Sequence, residues 1–206
     1  MINNNNDYRK KVLFMGKVTP TREQAFELLK KYNKSDSLIK HGLAVEGVMR
    51  HFASLNDEDV EKWGIVGLLH DVDYEMYPQE HCVKAKELLE AEGYPEEYIH
   101  AVQSHGFGLC IDVEPIHKME NVLFTIDELT GLITATALMR PSKSVLDLEV
   151  KSVKKKFKQK SFAAGVDRDV ILSGAERMGM DINEILCETI KGMQSVAEEI
   201  GLKGEV

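Results

Sequence analysis

The doublet His70-Asp71 closes the run Gly64-Ile65-Val66-Gly67-Leu68-Leu69. An ionisable pair at the end of so apolar a segment is expensive to bury without a partner. A divalent cation is such a partner, because neutral imidazole nitrogen and carboxylate oxygen are both competent ligands and the ion repays their desolvation. Upstream, His41 belongs to the apolar stripe Leu38, His41, Val45, Val48 and Phe52, and is expected to point inward with it. Downstream, Asp127 breaks the run that begins Val122-Leu123-Phe124-Thr125-Ile126, an acid where the pattern calls for an aliphatic residue. Taken alone, His41 would read as an ordinary core histidine. Four inward polar residues on three segments point instead to one metal site.

Helices must carry them. Apolar residues recur at helical spacing almost everywhere, and no stretch alternates cleanly enough, or has enough flanking turn residues, to argue for a sheet. The expected fold is all-α. A first helix is expected at 21–32, opened by Pro20 and the capping-box pattern Thr21-Arg22-Glu23-Gln24. Others are expected at 37–55, after a cap at Asn56, at 79–92 up to Gly93, and at 96–104 behind Pro95. The segment 106–115 reads as a loop. A long helix over 116–139 must stop before Pro141. Beyond it, 146–160 is amphipathic and lysine-rich, and two more helices are expected at 168–178 and 183–200. The natural parse is a flexible segment 1–20, a helical metal-binding domain 21–140 and a helical extension 141–206 packed on it.

Composition narrows the partners. With 34 acidic and 26 basic side chains among 206 residues the net charge is −8, which disfavours binding a nucleic acid polymer. The longest apolar stretches, 63–69 and 131–139, fall well short of the roughly 18 to 20 residues of a membrane span. The N-terminus, MINNNNDYRKK, lacks the apolar core of a signal peptide, so a cytoplasmic location is expected. Cys82, Cys110 and Cys187 are odd in number and contain no CxxC pair; they fit reduced thiols better than a disulfide framework or a thiolate zinc site. Six lysines lie between Lys151 and Lys160, opposite the stripe Val150, Val153 and Phe157, and read as a solvated face. The rest of the chain therefore carries −14. Any positive potential for an anionic substrate must be local, and Arg140 and Lys143, around Pro141, are the candidates by position. His51, His100 and His117 fit ordinary helix-surface positions.

In order and type, His41, His70-Asp71 and Asp127 resemble the signature of the HD superfamily of metal-dependent phosphohydrolases: a histidine, a His-Asp doublet and a distant aspartate, all donated by a helical bundle. The resemblance covers His41 to Asp127, and the Leu-Leu-His-Asp run is similar to that of the HDIG subgroup. His81 and His105 occupy positions similar to the extra histidines of two-metal members, such as the small bacterial HD hydrolases that cleave dinucleoside tetraphosphates. The resemblance implies that His41, His70 and Asp127 hold a first divalent transition-metal ion (Fe, Mn, Co, Ni or Zn), that Asp71 bridges, and that His81 and His105 hold a second. It implies hydrolysis of a small phosphate ester or anhydride, foremost a nucleotide, and leaves oligomeric state open. Two departures stand out. Many HDIG proteins follow the doublet with an apolar residue, glycine and lysine; here Val72-Asp73-Tyr74 stands there, without the phosphate-holding lysine. A histidine pair near the second metal of some members is reduced to His105. Asp73 is left to orient a ligand or a water, and it joins Asp71 as a catalytic candidate, with Asp73 or Glu128 relaying protons. The alternatives are a two-iron, oxygen-activating enzyme of the HD type and a non-catalytic metal- or nucleotide-binding regulatory module.

Overall fold

The computed structural model describes residues 19–204; the segment expected to be flexible, 1–20, lies outside it except for its last two residues. Among the described residues there are nine α-helices, one isolated β-bridge (Phe107 with Ile111) and no sheet. The first helix, α1 (Arg22–Tyr32), begins as its capping box dictates: Thr21 Oγ1 accepts the Gln24 amide at 3.3 Å, and the Gln24 side chain accepts the Thr21 amide at 3.0 Å. Next come α2 (Asp36–Leu55) and α3 (Val60–Leu69). The cap of α3 is Asp59, which accepts the Lys62 amide at 3.0 Å, and not Asn56. Asn56 turns back instead and donates to the Phe52 carbonyl at 2.8 Å, finishing α2.

Expected as helix from 79, the next segment becomes α4 (Val83–Ala91) only after a series of tight turns. Those turns are held from α1 and the start of α2. Buried Asn33 donates to the carbonyls of Leu29, Asp71 and Val72, and Glu75 accepts the amides of Lys34 and Ser35. Then follow α5 (Glu96–Ser104) and α6 (Lys118–Leu138). His117, expected as a plain surface residue, caps α6: its Nδ1 accepts the Met119 amide, while Glu120 accepts the amides of Ile116 and His117. His100 and His51 are also engaged, with Glu120 at 3.0 Å and Glu188 at 2.7 Å.

The C-terminal helices are α7 (Val150–Phe157), α8 (Arg168–Met178) and α9 (Ile182–Ser195). At 150–157, α7 is shorter than the expected 146–160, because Arg168 gathers the carbonyls of Phe157, Gln159, Phe162, Ala163 and Val166 and holds the chain in turns beyond it. In the middle of the bundle, α2 packs against α3, α6 and α9, and α6 packs against α8. The approach of α9 requires Gly192, where a Cβ would lie 2.6 Å from Val48 Cα. Trp63, Phe52, Met49, Leu68, Leu123 and Ile126 are fully buried between these helices.

One charge group sits in that packing. Glu46, on α2 and 2 % exposed, accepts Arg22 at 2.6 and 3.0 Å and Arg50 at 2.9 Å. Arg50 also forks onto Glu61 at 2.6 and 3.1 Å. Removing the shared acid leaves Arg22 with only the long contact to Glu199 at 3.5 Å and Arg50 with Glu61 alone at the α1–α2–α3 junction. Glu46→Ala is expected to cost about 3 kcal/mol of stability, read from urea unfolding; a cost below half of that would show that both arginines find solvent instead.

Candidate metal centre

The helix ends and turns just described bring six chemistry-bearing side chains together. His41 comes from the second turn of α2, His70 and Asp71 from just past the end of α3, His81 from the turns before α4, His105 from just past the end of α5 and Asp127 from the middle of α6. His41 Nε2 lies 3.1 Å from His70 Nε2, 2.9 Å from Asp127 Oδ1 and 3.7 Å from Asp71 Oδ2. His70 Nε2 lies 3.4 Å from Asp71 Oδ2 and 3.3 Å from Asp127 Oδ1. The other oxygen of Asp71 faces the opposite way: Oδ1 is 3.4 Å from His81 Nε2 and 3.7 Å from His105 Nε2. Asp71 thus stands between two clusters and offers one oxygen to each.

The hydrogen bonds behind the rings fix their direction. His70 Nδ1 faces the Gly67 carbonyl at 2.7 Å, and His105 Nδ1 faces the Val102 carbonyl. A carbonyl can only accept, so Nδ1 carries a proton, and in the neutral form of each ring the lone pair is on Nε2, the nitrogen turned toward Asp71. His81 is held alike, with Nδ1 2.8 Å from Asp73 Oδ1. Nitrogen lone pairs and carboxylate oxygens therefore converge on the same small volume. Acceptors facing acceptors at such distances repel unless a cation lies between them, and the donor set, imidazole plus carboxylate, suits a divalent transition metal. Three overlapping groups, His41/His70/Asp71, His70/His105/Asp127 and His81/Cys82/His105, have ligand atoms within 4.8 Å of one another.

Without a metal, a proton on His70 takes the place of the cation. Burial alone would depress the His70 imidazolium, but the charges of Asp71 and Asp127 lift its pKa well above the ordinary histidine value. Burial would likewise raise Asp71 and Asp127; the His70 charge, with hydrogen bonds from the histidines, holds both below the usual carboxylate range. Burial, helped by the Asp127 charge, pushes Glu128 up to about 7.

The cleft has a volume of about 310 Å³. Its polar wall holds His41, Asp71, His81, His105, Asp127 and Glu128, and Tyr74, Leu109, Phe124 and Val170 supply apolar surface. A second cavity of about 460 Å³ adjoins it at His41 and Gly131 and runs past Lys40, Ala44, Thr134, Ala135 and Leu138.

Three expectations change here. Asp73, expected to act in catalysis, does not line the cleft: it is fully buried, and its oxygens are spent on His81 Nδ1 and on the Ala85 amide at 2.7 Å. It orients a candidate ligand and caps the first turn of α4. Arg140 and Lys143, expected to hold substrate, line neither cavity. Arg140 is folded back onto the Asp147 carbonyl and carboxylate at 3.0 and 2.7 Å. A cation that sequence reasoning missed, Lys40, lines the adjoining cavity and is paired with Asp36 at 2.7 Å; its place next to His41 in the sequence was the available signal. Cys82 and Cys110, far apart in sequence, meet with their sulfurs 3.2 Å apart.

The helical bundle brings four histidines and two aspartates together as a candidate metal centre. Residues 38–132, which contain all six, match the HD domain family. HD domains bind divalent metals, and the family is one of metal-dependent phosphohydrolases. No solved structure matches the chain. Among the described residues no helix is long and apolar enough to cross a membrane.

Proposed function

We propose that this protein hydrolyses a small phosphate ester or anhydride, foremost a nucleotide, using one or two divalent transition-metal ions. The observation that carries this reading is the placement of Asp71, one oxygen toward His41 and His70 and the other toward His81 and His105. His41, His70 and Asp127 would hold one ion, His81 and His105 a second, and Asp71 would touch both. When bound, such an ion supplies Lewis acidity to a phosphoryl oxygen and acidifies a water.

The chain's own groups do the remaining work. The Gly67 and Val102 carbonyls and Asp73 engage Nδ1 of His70, His105 and His81, so that Nε2 of each ring is the nitrogen offered to an ion. Glu128 engages the Asp167 amide through Oε2 at 2.9 Å, leaving Oε1 as the position for a proton delivered to the leaving oxygen. Tyr74, Leu109 and Phe124 limit water around the scissile group, and the adjoining cavity offers the organic part of the substrate an apolar wall with Lys40 at its side.

The test is a turnover screen over nucleotides and simple phosphate esters, on chelator-stripped protein resupplied in turn with Mn, Fe, Co, Ni and Zn. Release of phosphate or a nucleotide that depends on the added ion is expected. Ligand binding without turnover under every ion would favour a regulatory module, and dioxygen consumption specific to iron would favour the oxygenase; either result removes the hydrolase. Glu128→Gln is expected to lower kcat about 100-fold while leaving metal content unchanged, as read by steady-state kinetics beside elemental analysis.

A further inference from the structure

Beside the candidate metal centre, and with no part in the chemistry proposed for it, two thiols share a wall. Cys82 is fully buried, directly follows His81 and caps α4 with a left-handed backbone (φ 66°) that disfavours any residue but glycine. Cys110 is exposed, lines the cleft and belongs to the loop that starts after His105. Their sulfurs are 3.2 Å apart, and Cys82 Sγ is 3.9 Å from His105 Nε2. Gly106 makes the meeting possible: a Cβ there would come within 2.5 Å of both sulfurs. We propose that Cys82 and Cys110 form a peroxide-sensitive dithiol that closes reversibly to a disulfide across the wall of the cleft.

The division of labour follows from exposure. A peroxide entering the cleft meets Cys110, whose sulfur attacks one peroxide oxygen; the O–O bond breaks, Cys110 becomes a sulfenic acid and water leaves. Cys82, already in contact and shielded from solvent, then attacks the sulfenic sulfur. The S–S bond forms, the S–O bond breaks, and a second water leaves with the thiol proton. The two sulfurs together give up two electrons to the peroxide, and a dithiol reductant restores both thiols. A resolving thiol in contact with the oxidised one stops Cys110 from advancing to sulfinic acid. The crosslink also ties the turn holding His81 to the loop leaving His105. Its consequence for metal binding rests on the function proposed above, whereas the chemistry of the pair does not.

The experiment treats the full chain with stoichiometric hydrogen peroxide, before and after metal stripping, and follows it by intact mass and peptide mapping without reductant. The expected result is the loss of two hydrogens, a peptide joining Cys82 to Cys110, a free Cys187, and full reversal by dithiothreitol. In Cys82→Ala the same dose should instead add oxygen at Cys110, and in Cys110→Ser it should leave Cys82 untouched. Oxygen addition at Cys110 with Cys82 still a thiol in the unaltered protein, or only intermolecular crosslinks, would overturn the proposal. Manganese titration of the crosslinked form reads the coupling separately, with at least tenfold weaker binding expected at one class of site and recovery on reduction. Unchanged manganese binding by a protein with a mapped crosslink would overturn the coupling. Failure of any form to bind metal would instead count against the metal reading, with the crosslink intact.

Discussion

Asp71→Ala is expected to fold, to bind neither ion tightly and to lose about 1,000-fold or more in phosphohydrolase turnover. Asp71 is the only carboxylate of the six-residue set with one oxygen toward each histidine cluster. Removing it therefore weakens both positions, whereas removing His41 or His81 weakens one. Lewis acidity at a phosphoryl oxygen is worth several kcal/mol of transition-state stabilisation, and each 1.36 kcal/mol is a factor of ten in rate, which sets the size of the loss. Circular dichroism separates this from unfolding, because the side chain lies at the end of α3 and outside the apolar core of Trp63, Phe52 and Leu68. His70→Ala should behave alike. Full turnover in either variant would remove these residues from the chemistry.

The second large effect is expected from a residue that never meets substrate. Asp73→Ala takes the acceptor from His81 Nδ1 and from the Ala85 amide at once, both in buried surroundings. An unpaired buried amide costs about 1–3 kcal/mol, and loss of a carboxylate behind a metal-binding histidine costs about 10–100-fold in metal affinity. The effect should be unequal between the two half-sites. Titration calorimetry should show weakened binding at the His81–His105 side and unchanged binding at the His41–His70–Asp127 side, together with a lower Tm. Asp73→Asn keeps one oxygen as an acceptor and should recover part of the Tm while leaving the His81 side weak. Equal weakening at both sides, or none, would show that Asp73 does not act through His81.

How much of this was legible in the chain depends on periodicity. His41, the His70-Asp71 doublet and Asp127 stand out because each interrupts an apolar helical pattern, and a polar group on a buried face has to be explained. His81 and His105 interrupt nothing: one lies among turns and the other at a helix end, so only the resemblance to HD proteins singled them out. The turns themselves could not be read, since they are held by side chains from elsewhere, Asn33 on Asp71 and Val72, and Glu75 on Lys34 and Ser35. That is why 79–82 looked helical and why the contact of Cys82 with Cys110 was invisible. Arg140 and Lys143 were inferred from nearness in sequence to the helix carrying Asp127. A nearer acid, Asp147, captures the arginine.

The acidic balance of the chain makes the remaining requirement plain. A cleft lined by Asp71, Asp127 and Glu128 repels a phosphate unless cations are bound there. Elemental analysis of the purified protein, after dialysis and again after exposure to each of Mn, Fe, Co, Ni and Zn, addresses this directly. One or two transition-metal ions per chain, lost in the His70→Ala and Asp71→Ala proteins, is the predicted result. A folded, unaltered protein that takes up none of the five beyond traces would contradict the account at its centre.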